Sequence, residues 1–327
     1  MTNNSQNNDE IKSTNPLSII EDKYSEKNLT NTEAQTIQKT LNDEDFNYEE
    51  QDNMDEEVSK EMIYKLQEIV GTAPRLELTI KESLFFKEEK IIKINALGLE
   101  EKSLRSDKDG YTYFGIIPPY DEKNIKKIDF STGDGTINLN NTNENNAMNY
   151  GRQFRIRFDL NDNCYYIKDC SGGKGYGTFM KVINEMKIKD STLINIGNYY
   201  IVFTLGVDEL EPEENNNIYE LEKEKILSVK VFGGELINYS YAFNQSQTNK
   251  ILIGSNEDCN IFINDNLLDG IHCNIEYKKS KGWFINDGYN NKASESGTWI
   301  CLSEETKIFE GMVIQSNQNI YQCNIVE

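Results

Sequence analysis

The sequence predicts an all-β protein: two tandem β-sandwiches preceded by a disordered acidic tail and one short amphipathic helix. Three observations carry this reading. From Arg75 onward, short runs of residues alternate apolar and polar with period two, punctuated by Gly, Asn and Asp, and no long helical stretch interrupts them. The patterned region repeats itself at an offset of about 120 residues. The negative charge is segregated into segments too polar to bury a core.

The chain has 327 residues, enough for two modest domains, and a net charge of -21 from 34 Lys and Arg against 55 Asp and Glu. Residues 1–60 hold 15 acids and 5 lysines, a net of -10, and residues 206–225 hold 8 acids and 2 lysines, a net of -6. Removing both leaves only -5 on the remaining 247 residues, so the acidity belongs to the connectors. This balance excludes a broad nucleic-acid or anionic-membrane surface, which needs clustered cations. A single histidine, His272, excludes every metal site built on two. No metal or other cofactor is expected.

Six scattered cysteines without a C-x-x-C pair point to reduced thiols in an intracellular protein. The first ten residues are polar and acidic where a secretory signal would be basic and then apolar. The longest apolar run, residues 199–205, is far too short to cross a membrane. The expected location is therefore the cytoplasm or nucleus, with no membrane insertion.

In chain order, residues 1–55 form the acidic tail, whose ordering entropy no apolar burial would offset. Residues 56–71 follow as a helix, because Val58, Met62, Leu66 and Ile69 fall on one face and Gly71 and Pro74 stop it. Its simplest use is to pack on the neighbouring sandwich. The first sandwich spans residues 88–206, with a leading strand from about 75; residues 207–225 link it to the second, 226–327.

The repeat is carried by three ordered matches. Phe154, Ile156 and Phe158 alternate with polar partners as Cys273, Ile275 and Tyr277 do. A strand ending in aspartate comes next: Tyr165, Tyr166, Ile167, Lys168, Asp169 in the first copy and Trp283, Phe284, Ile285, Asn286, Asp287 in the second. After a loop rich in Gly and Asn, Gly177, Thr178 and Phe179 match Gly297, Thr298 and Trp299, and both copies close with apolar strands over 192–203 and 312–325.

In the second copy, Ile253 and Gly254, the run of residues 259–263, His272 to Ile275, Trp283 to Asp287, and Gly297 to Trp299 together resemble a forkhead-associated (FHA) domain of the SMAD/FHA superfamily. The resemblance covers nearly all of residues 226–327, and the first copy inherits it through the repeat. It implies sandwiches of roughly eleven strands whose loops at one end hold a phosphothreonine peptide. The family pattern is a Gly-Arg, a Ser-Arg-x-His and an Asn-Gly-Thr. Arg and Ser contact phosphate, His braces the loops, and Asn holds the peptide backbone.

This sequence departs from the pattern where phosphate would be bound. Ser255 stands in place of the Arg after Gly254, Asp269 in place of the Ser before His272, and Ser296 in place of the Asn before Gly297 and Thr298. A carboxylate facing a phosphate of charge near -2 repels it. In the first copy, Gln153 holds the His position, Tyr150 the Ser position and Tyr176 the Asn position, ahead of Gly177 and Thr178. Its Gly-Arg is absent under either alignment, Gly115 with Ile116 or Gly133 with Asp134; the first preserves the strand spacing and is preferred.

The expectation is a non-enzymatic adaptor or scaffold that has lost ordinary phosphothreonine recognition and binds other proteins, phosphoproteins among them, but no nucleic acid. The alternative is a phosphopeptide-binding signalling protein with a rebuilt site at Arg152 and Lys174. Two motifs mislead. The glycine run 171–178 lacks the order of a phosphate-binding loop, and residues 159–163 lack the glycine and distal glutamate of a calcium loop.

Overall fold

The computed structural model describes residues 60–101, 111–116, 128–133, 151–170, 177–207, 225–233 and 236–327. The tail over 1–55 and residues 208–224 of the linker lie outside them. The first half contains α1 (Lys60–Ile69), β1 (Arg75–Ser83), β2 (Lys90–Asn95), β3 (Gly98–Leu99), β4 (Thr112–Ile116), β5 (Phe130–Ser131), β6 (Gly151–Asp159), β7 (Cys164–Asp169), β8 (Thr178–Lys181), β9 (Met186–Lys187), β10 (Thr192–Ile196) and β11 (Tyr199–Val207). The second half contains β12 (Lys225–Gly233), β13 (Leu236–Asn244), β14 (Lys250–Gly254), β15 (Ile261–Phe262), β16 (Cys273–Lys278), β17 (Gly282–Asp287), β18 (Thr298–Cys301), β19 (Thr306–Lys307), β20 (Val313–Ser316) and β21 (Asn319–Val326). The chain is all-β with one described helix.

Within each half, the same pairings recur. β4 pairs in parallel with β5 as β14 does with β15, and β6 and β7 form an antiparallel pair as β16 and β17 do. Alternation dictates this: Phe154, Ile156 and Phe158 point inward from β6, and Cys273 and Ile275 from β16.

The closing strands, however, do not return to their own half. β21 pairs along β1, from Arg75 opposite Val326 to Ser83 opposite Asn319, and β20 pairs with β8. β10 pairs with β18, and β11 pairs with β12 from Tyr200 opposite Phe232 to Val207 opposite Lys225. The short strands cross over too, β9 to β17 and β19 to β7. The result is one sheet of 11 strands, in the order β13-β12-β11-β10-β18-β8-β20-β21-β1-β2-β3, faced by two sheets of five.

Two sandwiches share that long sheet, but neither matches the sequence ranges 88–206 and 226–327. Among the described residues, one is built from strands β1 to β8 with β19 to β21, within positions 75–181 and 302–327; the other from β9 to β18, within positions 182–301. The cores divide at the same points. Met180, Leu302, Ile308, Met312, Ile314, Tyr321 and Cys323 join the core of β1, β2, β6 and β7. Val182, Ile188, Ile194, Ile196, Ile201 and Phe203 join Leu227, Ile251, Ile275 and Trp283 in the other. The seam is the antiparallel pair β8 with β18, centred on Met180 opposite Ile300, about which equivalent residues of the two halves exchange places.

Side-chain chemistry decides which hairpin closes which core. At equivalent inward positions, β10 and β11 carry Ile196, Tyr199, Ile201 and Phe203, where β20 and β21 carry Ser316, Asn319, Tyr321 and Cys323. Both members of the polar pair are partnered by groups of the first half. The Ser316 and Thr178 hydroxyls lie 3.0 Å apart, and Asn319 Nδ2 donates to the Thr132 carbonyl at 2.9 Å. Buried polar groups without such partners cost about 1–3 kcal/mol each.

Acidic residues on the two crossing segments latch them down. Arg157 on β6 donates through Nε and Nη2 to Glu305, at 3.0 and 2.7 Å, and through Nη1 to Asp159 at 2.6 Å. Its counterpart in the other sandwich is Lys278 on β16, which donates to Glu185 at 2.7 Å. The Arg157 guanidinium holds the carboxyls of Glu305 and Asp159 below the usual carboxylate range. A depressed folded-state pKa means the stabilisation is present above the unfolded carboxylate pKa and lost as pH falls through the folded one. Glu305→Gln is therefore expected to cost about 1 kcal/mol at neutral pH. In urea denaturation across pH, the gap from the unsubstituted protein should close on the acid side; a constant gap would refute the ion-pair origin.

The helix expected over 56–71 is described from Lys60 and packs on the sandwich that contains β1 and β21, through buried Leu66 and partly buried Ile69. All six cysteines are free, and burial raises the thiol pKa of Cys273 and Cys323 and pushes Cys301 up to about 12. These thiols are therefore unreactive. Among the described residues no helix is long and apolar enough to cross a membrane, and no cluster of three or more His, Cys, Asp or Glu is placed to hold a metal. Asp159 Oδ1 accepts from the amides of Asn161 and Asp162, so the calcium-like run is a hairpin turn.

Candidate functional site

In the sandwich of residues 182–301, three loops converge at one end: 255–260 after β14, 263–272 before β16, and 288–297 between β17 and β18. Gly254 fixes the first junction. A Cβ there would sit 2.3 Å from the Gly270 carbonyl oxygen, so only glycine lets the strand end pass that close to the second loop. The amides of Ser255 and Asn256 donate to the carbonyls of Asp269 and Gly270, both at 3.0 Å, zipping the two loops together.

His272 is fully buried and ties the second loop to the third. Its backbone amide donates to the Ile253 carbonyl at 2.8 Å, and its Nε2 donates to the Gly297 carbonyl at 3.1 Å. That bond places a proton on Nε2; Nδ1 makes no hydrogen bond and lies 3.7 Å from Asp269 Oδ2. The imidazole is thus a brace between loops.

The residues that the FHA resemblance sets opposite a phosphate make hydrogen bonds within the loops. Ser255 Oγ donates to the Leu268 carbonyl at 2.9 Å, within its own loop pair. Asp269 Oδ2 accepts from the Glu295 amide at 2.8 Å, so the carboxylate bridges the second and third loops. Ser296 contributes its carbonyl, which accepts from Trp299 Nε1 at 3.0 Å. Gly297, at φ +79, makes the turn into β18 in a region where other residues are strained.

Two residues that hold the third loop were read in the sequence only as repeat markers or not at all. Asp287 Oδ1 accepts from Ser294 Oγ at 2.6 Å and from Thr298 Oγ1 at 2.8 Å, and Ser294 Oγ accepts in turn from the Gly297 amide at 3.0 Å. The signal was present: both copies end the strand before this loop with an aspartate. In the first half, Asp169 Oδ1 accepts from the Thr178 amide at 2.8 Å.

The first-half loops follow the same plan with different chemistry. Of the two candidate glycines, Gly115 lies at the end of β4, where a Cβ would sit 2.1 Å from the Gly151 carbonyl oxygen; Gly133 meets only side chains, at ordinary separations. Gly115 thus matches Gly254. The residue after it, Ile116, is buried. Gln153, at the place of His272, accepts through its side-chain Oε1 from Thr132 Oγ1 at 2.8 Å and through its carbonyl from the Cys170 amide at 2.7 Å. Arg152 lies beside that junction with its guanidinium 3.4 Å above the centre of the Tyr113 ring. Thr178 opens β8 beside Gly177. Tyr150, Lys174, Tyr176 and Asp134 lie outside the described residues.

Residues 251–319 match the family model of the FHA domain. FHA domains are protein–protein interaction modules, most of which bind phosphopeptides. The matched stretch is continuous in the chain but divided in space, since residues 251–301 belong to one sandwich and 302–319 to the other. No curated protein matches the chain.

Proposed function

We propose that this protein is a non-enzymatic adaptor whose two halves are FHA-like copies, the first more divergent, and whose 182–301 sandwich no longer reads phosphothreonine through its loops. The observation that carries this reading is the Asp269 carboxylate bonded across the loops at the place where a phosphate would be received. With Ser255 in the Arg position, that site has an anion and no guanidinium, the reverse of what charge-assisted phosphate binding needs. The identical strand pairings in the two halves support treating them as copies. Exposed Leu267 and partly exposed Phe262 beside the loops offer apolar contact of the sort that holds unmodified partners.

A second reading keeps phosphate recognition in the first half. It is favoured by Arg152, a planar cation beside the Gly115 and Gly151 junction, 3.4 Å from the centre of the Tyr113 ring. One experiment separates the two: full-length protein screened against a phosphothreonine peptide library and its unphosphorylated counterpart. The adaptor reading expects equal capture of both. Phosphate-dependent micromolar capture that disappears in Arg152→Ala would replace it with the second reading.

A further inference from the structure

The three sheets have six edges, and among the described residues five of them are strands of two residues: β3, β5, β9, β15 and β19. Edge strands this short offer a neighbour too few free amides and carbonyls to pair with, which is one of the ways proteins keep sheets from joining. The sixth edge is β13, at nine residues the full length of its partner β12. One side of β13 pairs with β12; no described strand pairs with the other.

β13 also lacks the usual protection of a long edge. Leu236–Asn244 contains no charged residue and no proline, in a chain of net charge -21. Tyr241 and Phe243 lie against the core of the 182–301 sandwich with their rings stacked at 6.3 Å. On the opposite face Ser240 and Ala242 are small and exposed, and on the face of Tyr241 the Tyr239 ring is 51% exposed.

We propose that β13 is a self-association edge whose occupant is β13 of a second copy of this chain, in an antiparallel pair that joins the two 11-stranded sheets. Charge argues for a second copy. Most of the net charge lies in the tail and linker and the edge itself carries none, so two copies meet at β13 without like charges on the paired strands, with Lys230 opposite Ser240 on β12 behind them. Self-complementarity argues the same way. An antiparallel pair about a two-fold axis through Ser240 matches all nine residues, sets Tyr239 against the partner's Tyr241, and makes one patch serve both subunits. A foreign strand would need charges or pockets on β13 to specify it, and the strand carries no charge.

Sedimentation of the full-length protein over a micromolar concentration range tests this. The unsubstituted protein is expected to run as a dimer, and Ser240→Lys and Ser240→Glu each as a monomer, because the two-fold pair sets like charges directly opposite. Mixing the two variants is expected to restore a dimer, which simple loss of folding would not do. A protein that is monomeric throughout, including one that leaves the edge to a foreign strand, overturns the proposal. So do variants that remain dimeric, or that fail to recombine when mixed.

Discussion

A fragment of residues 182–301 is expected to fold alone as a cooperative β-sandwich, whereas residues 226–327, the boundaries suggested by the repeat, are expected not to. The first fragment keeps the entire second core, from Val182 to Ile300. Its ends are already held in the fold, since the Val182 amide donates to the Thr298 carbonyl at 2.8 Å. The second fragment loses seven buried residues, Val182, Ile188, Ile194, Ile196, Tyr199, Ile201 and Phe203. At about 1.5–3 kcal/mol each, that loss is on the scale of a domain's whole stability of about 5–15 kcal/mol.

Residues 302–327 cannot make good this loss. Folded back onto their own half, they would set Ser316, Asn319 and Cys323 where Ile196, Tyr199 and Phe203 now pack. That underfills the core and strips Ser316 and Asn319 of Thr178 and Thr132. The check is urea unfolding and amide NMR dispersion of both fragments: a sharp transition and a dispersed spectrum for 182–301, neither for 226–327. Cooperative unfolding of 226–327 at equal or greater stability would mean that each half closes on itself.

The individual strands were legible because each is a local pattern. Period-two alternation located β6, β7, β16 and β17, and the matched glycines placed the loop junctions at Gly115 and Gly254. The exchange of closing strands was not legible, because Ile194 and Ile314 sit at equivalent positions of hairpins with the same alternation, and periodicity does not say which core a hairpin enters. That choice rests on single contacts between residues far apart in sequence, such as Asn319 with Thr132, 187 positions away. One local trend does favour it. Exchange makes β11 and β12 antiparallel neighbours in space as they are in sequence, the commoner arrangement of successive strands.

The site was legible as a set of departures from a pattern, but the use of the substituted residues was not. Asp269 was read only as a repulsive charge, yet its carboxylate also holds the Glu295 amide, a role fixed by the third loop some 26 residues on. His272 was identified as a brace from its position, whereas the change of Gln153's partner to Thr132 depends on a hydroxyl that no spacing argument would select.

If the 182–301 sandwich has lost phosphate binding as proposed, and the loss resides in two side chains, restoring them should restore it: the double variant Ser255→Arg, Asp269→Ser is expected to gain phosphothreonine binding in the full-length protein. Either change alone is expected to fail. An arginine at position 255 beside an intact Asp269 would pair with the carboxylate, because the Ser255 amide already bonds to the Asp269 carbonyl at 3.0 Å. Removing Asp269 alone removes repulsion but supplies no cation. Together, two charge-assisted hydrogen bonds at about 1.5–3 kcal/mol each correspond to a gain on the order of a hundredfold or more in affinity. The third loop should tolerate the change. It loses the acceptor for the Glu295 amide but keeps Asp287 with Ser294 and Thr298, and His272 with Gly297. Fluorescence polarisation with matched phosphorylated and unphosphorylated threonine peptides reads the outcome. A double variant that folds normally yet binds the phosphopeptide no better than the parent would place the loss elsewhere, in the shape of the loops rather than in their charge.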